Sequence, residues 1–101
     1  MALADLVEPQ KQRFPTGQLV MTRDVHDLVE QGRLDPARYL VRHLKGDWGD
    51  ISDRDWQSND TALKRGDDRL FSTYDVAPDL TLWIITEWDR SVTTLMLPGD
   101  Y

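Results

Sequence analysis

The sequence predicts an α+β fold, with two to three short helices in the N-terminal half packed on a three- to four-stranded antiparallel sheet. Three observations predict it. Apolar residues recur at helical spacing up to about residue 65, the period drops to 2 from Leu70 onward, and the helical stretches are bounded by start and stop residues. At 101 residues the chain has room for one core. Residues 13–101 are expected to form that single domain, with residues 1–12, mixed and unpatterned, as a flexible arm.

Taken in order, Pro15-Thr16-Gly17 is a turn signal, and the apolar run Gln18-Leu19-Val20-Met21 after it is short enough for an edge strand. Thr22 then reads as a helix N-cap. Val25, Leu28 and Val29 give one amphipathic helix over residues 23–31, stopped by Gly32 in the left-handed region. Asp35-Pro36 starts the next helix: the Asp side chain is expected to accept from first-turn N–H groups, and proline at N1 lacks an N–H that would be unpaired anyway. That helix buries Ala37, Leu40, Val41 and Leu44 and ends at Gly46. Ser52 with Asp55 resembles a capping box for a third helix over residues 53–65, whose apolar face of Trp56 and Leu63, with Thr61 and Ala62, is thin.

Beyond Gly66 the alternation of Leu70, Ser72, Tyr74 and Val76 against Phe71 and Thr73 marks a strand. After Pro78-Asp79, residues 80–88 are the most β-prone stretch, and Leu82-Trp83-Ile84-Ile85 implies a central strand covered on both faces, with Trp83 in the core. A tight turn at residues 87–90, read as a local ion-pair turn, leads into a last strand over residues 91–97, ended by Pro98.

Charge and composition narrow the function. The net charge is −6, concentrated in residues 51–101, and this field repels phosphate, so direct non-specific nucleic-acid binding is disfavoured. With no cysteine there is no disulfide, thiolate zinc site or cysteine nucleophile, and two histidines are too few for a zinc centre. Residues 53–64 fail as an EF-hand, with Ser58 in place of the glycine and Lys64 in place of the final glutamate. No phosphate-binding glycine loop or nucleophile elbow is present, and no cofactor or metal is expected. Residues 1–10 lack a secretory pattern and no stretch is long and apolar enough for a membrane span, so the expected compartment is cytoplasmic.

Four segments carry a resemblance: Arg13-Phe14-Pro15-Thr16-Gly17-Gln18; His43-Leu44-Lys45-Gly46-Asp47-Trp48-Gly49-Asp50; Asn59-Asp60 with Ala62-Leu63; and Ile85-Thr86-Glu87-Trp88-Asp89-Arg90-Ser91-Val92-Thr93-Thr94-Leu95-Met96-Leu97-Pro98. Together they resemble a small bacterial family of plasmids and integrative elements, labelled "plasmid-related protein" or "type I restriction endonuclease subunit M". The resemblance covers residues 13–101 and departs from the family at Trp88, where relatives carry a small residue, and at Ala77-Pro78-Asp79-Leu80, where they carry a glycine-bearing hairpin. It implies a role on mobile elements in host defence, restriction or plasmid maintenance. A methyltransferase domain does not fit in 101 residues, so the restriction label reflects gene neighbourhood.

Three functional readings follow. The leading one is a non-enzymatic acidic binding protein whose partner is a basic or nucleic-acid-handling protein, met by Asp47, Trp48, Asp50, Asp53, Asp55, Trp56 and Trp88 as aromatic anchors within an acidic rim. The acids alone also suit a solvated face. The second is a metal-independent ribonuclease laid out like barnase and colicin-type toxins. There His43 would act as general acid or base, its pKa raised by the helix C-terminus, with Arg90, Thr93 and Thr94 on phosphate and Ser72, Tyr74 and Ser91 nearby. The plain alternative for His43 is a packing or capping role. The third is a homo-oligomeric structural subunit, a homodimer formed through an edge strand at residues 18–21 or 91–97.

Overall fold

A computed structural model describes residues 12–101. Apart from Gln12, the expected arm lies outside the described residues. The elements are β1 (Gln18–Met21), α1 (Arg23–Glu30), α2 (Pro36–Leu44), α3 (Asp53–Arg65), β2 (Leu70–Ala77), β3 (Leu80–Thr86) and β4 (Val92–Met96), closed by a 3₁₀ turn at Pro98–Asp100. The α+β expectation holds, with one difference in the sheet. Its order is β1-β4-β3-β2, and β1 runs parallel to β4 while the other pairs are antiparallel, so the sheet is mixed. β1 enters beside the last strand, a long-range pairing that no local pattern encodes. It also moves residues 92–96 from the expected edge to the interior.

The punctuation works largely as the residues dictate. Thr22 accepts from the Val25 N–H and Ser52 from the Asp55 N–H, and Gly66 ends α3 in the left-handed region at φ 68°. Asp35 is the exception. It occupies the N-cap of α2 without a side-chain cap bond, so Pro36 alone carries that start signal.

The helices pack on one face of the sheet. Val25, Leu28, Leu34 and Tyr39 meet Tyr74, Leu80, Leu82, Ile84 and Leu95 in one cluster. A second cluster gathers Phe14, Leu40, Leu44, Trp48, Ala62 and Leu70 beneath α2 and α3. The opposite face carries Phe71, Trp83, Ile85, Thr94 and Met96; the two apolar clusters that seat the three α-helices lie on the other side, and Tyr101, after the 3₁₀ turn, packs on Trp83 here. Trp83, expected in the core, is therefore half-buried, although Ile85 between its neighbours is buried.

Candidate functional site

His43 projects from the last turn of α2 into the seam between that helix and the sheet and is fully buried. Its Nδ1 lies 2.5 Å from Ser72 Oγ and its Nε2 2.9 Å from Thr86 Oγ1. Thr86 Oγ1 lies 2.7 Å from Thr93 Oγ1, and Thr93 donates to the Thr16 carbonyl at 2.8 Å. Proton accounting along this chain gives one consistent direction. Thr93 spends its proton on Thr16, so Thr86 donates to Thr93 and His43 Nε2–H donates to Thr86. Nδ1 is then the acceptor and takes the Ser72 proton. Every member is satisfied, and no described buried side-chain N or O is left unpaired.

Burial pushes the His43 pKa down to about 3, opposite to the rise expected from a helix C-terminus, because the sealed ring has no carboxylate beside it to support a charge. A neutral imidazole at full burial, with both nitrogens engaged, has no access to a substrate. The structure brings His43 and Thr93 together, as the ribonuclease layout requires, but in the interior. Thr94 faces the other side of the sheet. Arg90, at φ 61°, donates to the carbonyls of Asp68, Glu87, Trp88 and Ala62, so it closes a turn and the end of α3, and the expected ion pair with Glu87 or Asp89 does not form.

Of Asp47, Trp48 and Asp50, expected as partner surface, Trp48 is turned into the interior, Asp47 is half-buried in an ion pair, and Asp50 is exposed at the edge of the sheet. Trp48 is fully buried, stacked with Phe14 at 6.0 Å and edge-on to His43 at 5.5 Å, and its indole N–H donates to Asp60. The exposure expected for it fails because the glycines on either side turn the chain inward. Asp47 binds the Arg42 guanidinium at 2.7 Å and the Gly49 N–H, and Arg42 holds its carboxyl below the usual carboxylate range.

Asp50 and its neighbours close the outer edge of β2. The Thr73 N–H donates to the Trp48 carbonyl, the Asp50 N–H to the Thr73 carbonyl, and the Asp75 N–H to the Asp50 carboxylate. One step along, Asn59 accepts from the Phe71 N–H and donates to the Phe71 carbonyl. Gly49, at φ 80°, is required here, since a Cβ would overlap the Thr73 carbonyl.

What remains outward-facing is a different set. Trp88 is 63% exposed in the β3–β4 turn and Tyr101 is 72% exposed. Tyr101 packs on Trp83 at 5.9 Å and Trp83 on Phe71 at 4.9 Å, while Arg69 lies over the Tyr101 ring and donates to its hydroxyl. Of these, Arg69 and Phe71 also line a 320 Å³ depression between α3 and β2, together with Ile51, Asp55, Asn59 and Asp68 among others. Asp53 and Asp55 are exposed on the first turn of α3, and Trp56 is half-buried against the second core cluster. Of the seven expected contact residues, Asp50, Asp53, Asp55 and Trp88 are thus open, and Asp55 alone reaches the depression. Phe71, Trp83, Arg69 and Tyr101 were missed. The signal for them was the strand alternation, which places Phe71 and Trp83 on the face opposite the buried stripe.

Comparison with protein-family models, with curated proteins and with solved structures finds no match to this chain. Among the described residues, no group of three or more histidine and carboxylate side chains converges as a metal site, and no helix is long and apolar enough to cross a membrane.

Proposed function

We propose that the chain is a non-enzymatic binding protein that engages a protein partner through the face of its sheet opposite the α-helices, with Trp83, Trp88 and Tyr101 as anchors and Asp55 and Asp68 on the rim. The supporting observation is the exposure of Trp88 and Tyr101, the latter joined edge to face with Trp83 and Phe71. Large aromatics are costly to hold in water and dominate the energetics of contact surfaces. The overall charge of −6 favours a partner with a basic surface, and a nucleic-acid-handling protein has one. The resemblance to the plasmid and integrative-element family supports placing that partner in host defence, restriction or plasmid maintenance.

The test is site-specific photo-crosslinking in bacterial cells, with the photoreactive residue placed in turn at Trp88, at Tyr101 and at the exposed His26 on the helical side. A discrete protein adduct from positions 88 and 101, absent from position 26 and lost in high salt, is the expected result. Equal adducts from all three positions, or recovery of RNA in place of protein, would overturn the reading.

A further inference from the structure

The two edges of the sheet are finished differently. Along β2 the outward groups of Phe71, Thr73 and Asp75 are taken up by Asn59, by the backbone of residues 48–50 and by the Asp50 carboxylate. Along β1 the ladder to β4 uses the Gln18 N–H, bonded to the Ser91 carbonyl, and the Thr22 N–H, bonded to the Leu95 carbonyl. By the alternation of a parallel pair, Val20 also faces β4, and the N–H and C=O of Leu19 and Met21 point away from the sheet. Among the described residues nothing hydrogen-bonds to these four groups. The strand carries no charge, no proline and no bulge, the devices that normally blunt an edge.

We propose that β1 pairs antiparallel with β1 of a second copy about a two-fold axis through Val20, joining the two sheets into one. The four outward groups fit this occupant. With Val20 opposite Val20, Leu19 of one protomer lies opposite Met21 of the other, so each of the four finds its complement twice over in a self-matching set. Gln18 then lies opposite Thr22, and no charged residue falls opposite another, which allows a chain of net charge −6 to meet itself here. The closed β2 edge supplies the second part of the argument. A β1-to-β2 contact would propagate as an open filament, and the cover on β2 forbids it, leaving the isologous contact that closes on itself. The inference rests on the sheet edge and stands or falls independently of the aromatic face.

The register gives a sharp test in a chain without cysteine. Val20→Cys places two thiols in a non-hydrogen-bonded antiparallel pair with Cα atoms about 4.5 Å apart, within disulfide reach. Gln18→Cys places its two thiols about 13 Å apart by strand rise. Under mild oxidation Val20→Cys is expected to form a covalent dimer and Gln18→Cys to stay uncrosslinked. In sedimentation at about 100 µM the unmodified chain is expected to dimerise, Val20→Thr to behave like it, and Val20→Lys, confirmed folded by circular dichroism, to be monomeric. A monomeric unmodified chain, equal crosslinking of both cysteine variants, or a dimer indifferent to Val20→Lys would each overturn the proposal. Slow amide exchange at Leu19 and Met21 in a monomer would overturn it too, by assigning the edge to another segment of the same chain.

Discussion

The two faces of the sheet use the same kinds of residue to opposite ends. On the helical face an imidazole, three hydroxyls and an indole are withdrawn from water and bonded only to one another, to backbone or to Asp60. On the other face Tyr101 stands largely in solvent over the half-buried rings of Trp83 and Phe71, and Trp88 is exposed in the adjoining β3–β4 turn. A polar group sealed in this way fixes which surfaces pack together, because any other arrangement leaves a donor or acceptor unpaired. An aromatic group left open does little for the fold. Reactive residue types in a sequence therefore say nothing of where chemistry happens until their burial is known, and here the more reactive-looking set is the scaffold.

The comparison breaks most visibly at Trp48. Trp48→Ala removes a fully buried indole and is expected to destabilise the fold by about 3–5 kcal/mol in chemical denaturation. His43→Ala comes next, leaving the Ser72 and Thr86 hydroxyls without their ring partner, at about 1–3 kcal/mol for each stranded group that water does not reach. The same residue sets a pH dependence. Its pKa falls from 6.5 to about 3 on folding, so between those values the unfolded chain binds the extra proton. Stability is therefore full above pH 6.5 and is lost as pH falls toward 3, by at most about 1.4 kcal/mol per pH unit from this group. Denaturation midpoints at pH 7 and pH 5 should differ in the unmodified chain, and His43→Gln should flatten the difference.

At the β2 edge Asn59→Ala is expected to cost about 1–3 kcal/mol and to speed amide exchange at Phe71, where the loss can be read directly. Smallest of all, Trp88→Ala should change stability by no more than about 0.5 kcal/mol, since its side chain is mostly in water. A large loss there would show that the turn belongs to the core and would erase the contrast between the faces.

Much of the fold was legible because its signals are local. Gly32, Gly46 and Gly66 stop helices where their spacing says they should, and the alternation from Leu70 to Val76 separates the buried stripe from its opposite face. The partner of β1 was not legible, since a parallel pairing across most of the chain leaves no periodic trace. The site was harder for a related reason. His43, Trp48, Asp60, Thr86 and Thr93 come from three separated stretches, and only the folded chain shows that they meet in one junction with Phe14 and Thr16 from a fourth. The segments that carry the family resemblance supply this junction, so what they mark is a way of packing. Trp83 was misplaced because an unbroken apolar run implies cover on both faces, and among the described residues the second face has only Tyr101 and its own neighbours.

The most direct measurement is the partner affinity of two variants side by side: His43→Gln, and Trp88→Ala combined with Tyr101→Ala, both shown folded, against the protein recovered by crosslinking at position 88. A helical face that is scaffold and an opposite face that makes contact require His43→Gln to bind as the unmodified chain does and the double variant to lose at least about tenfold, roughly 1.4 kcal/mol. Full binding by the double variant with loss in folded His43→Gln would contradict the assignment of the two faces.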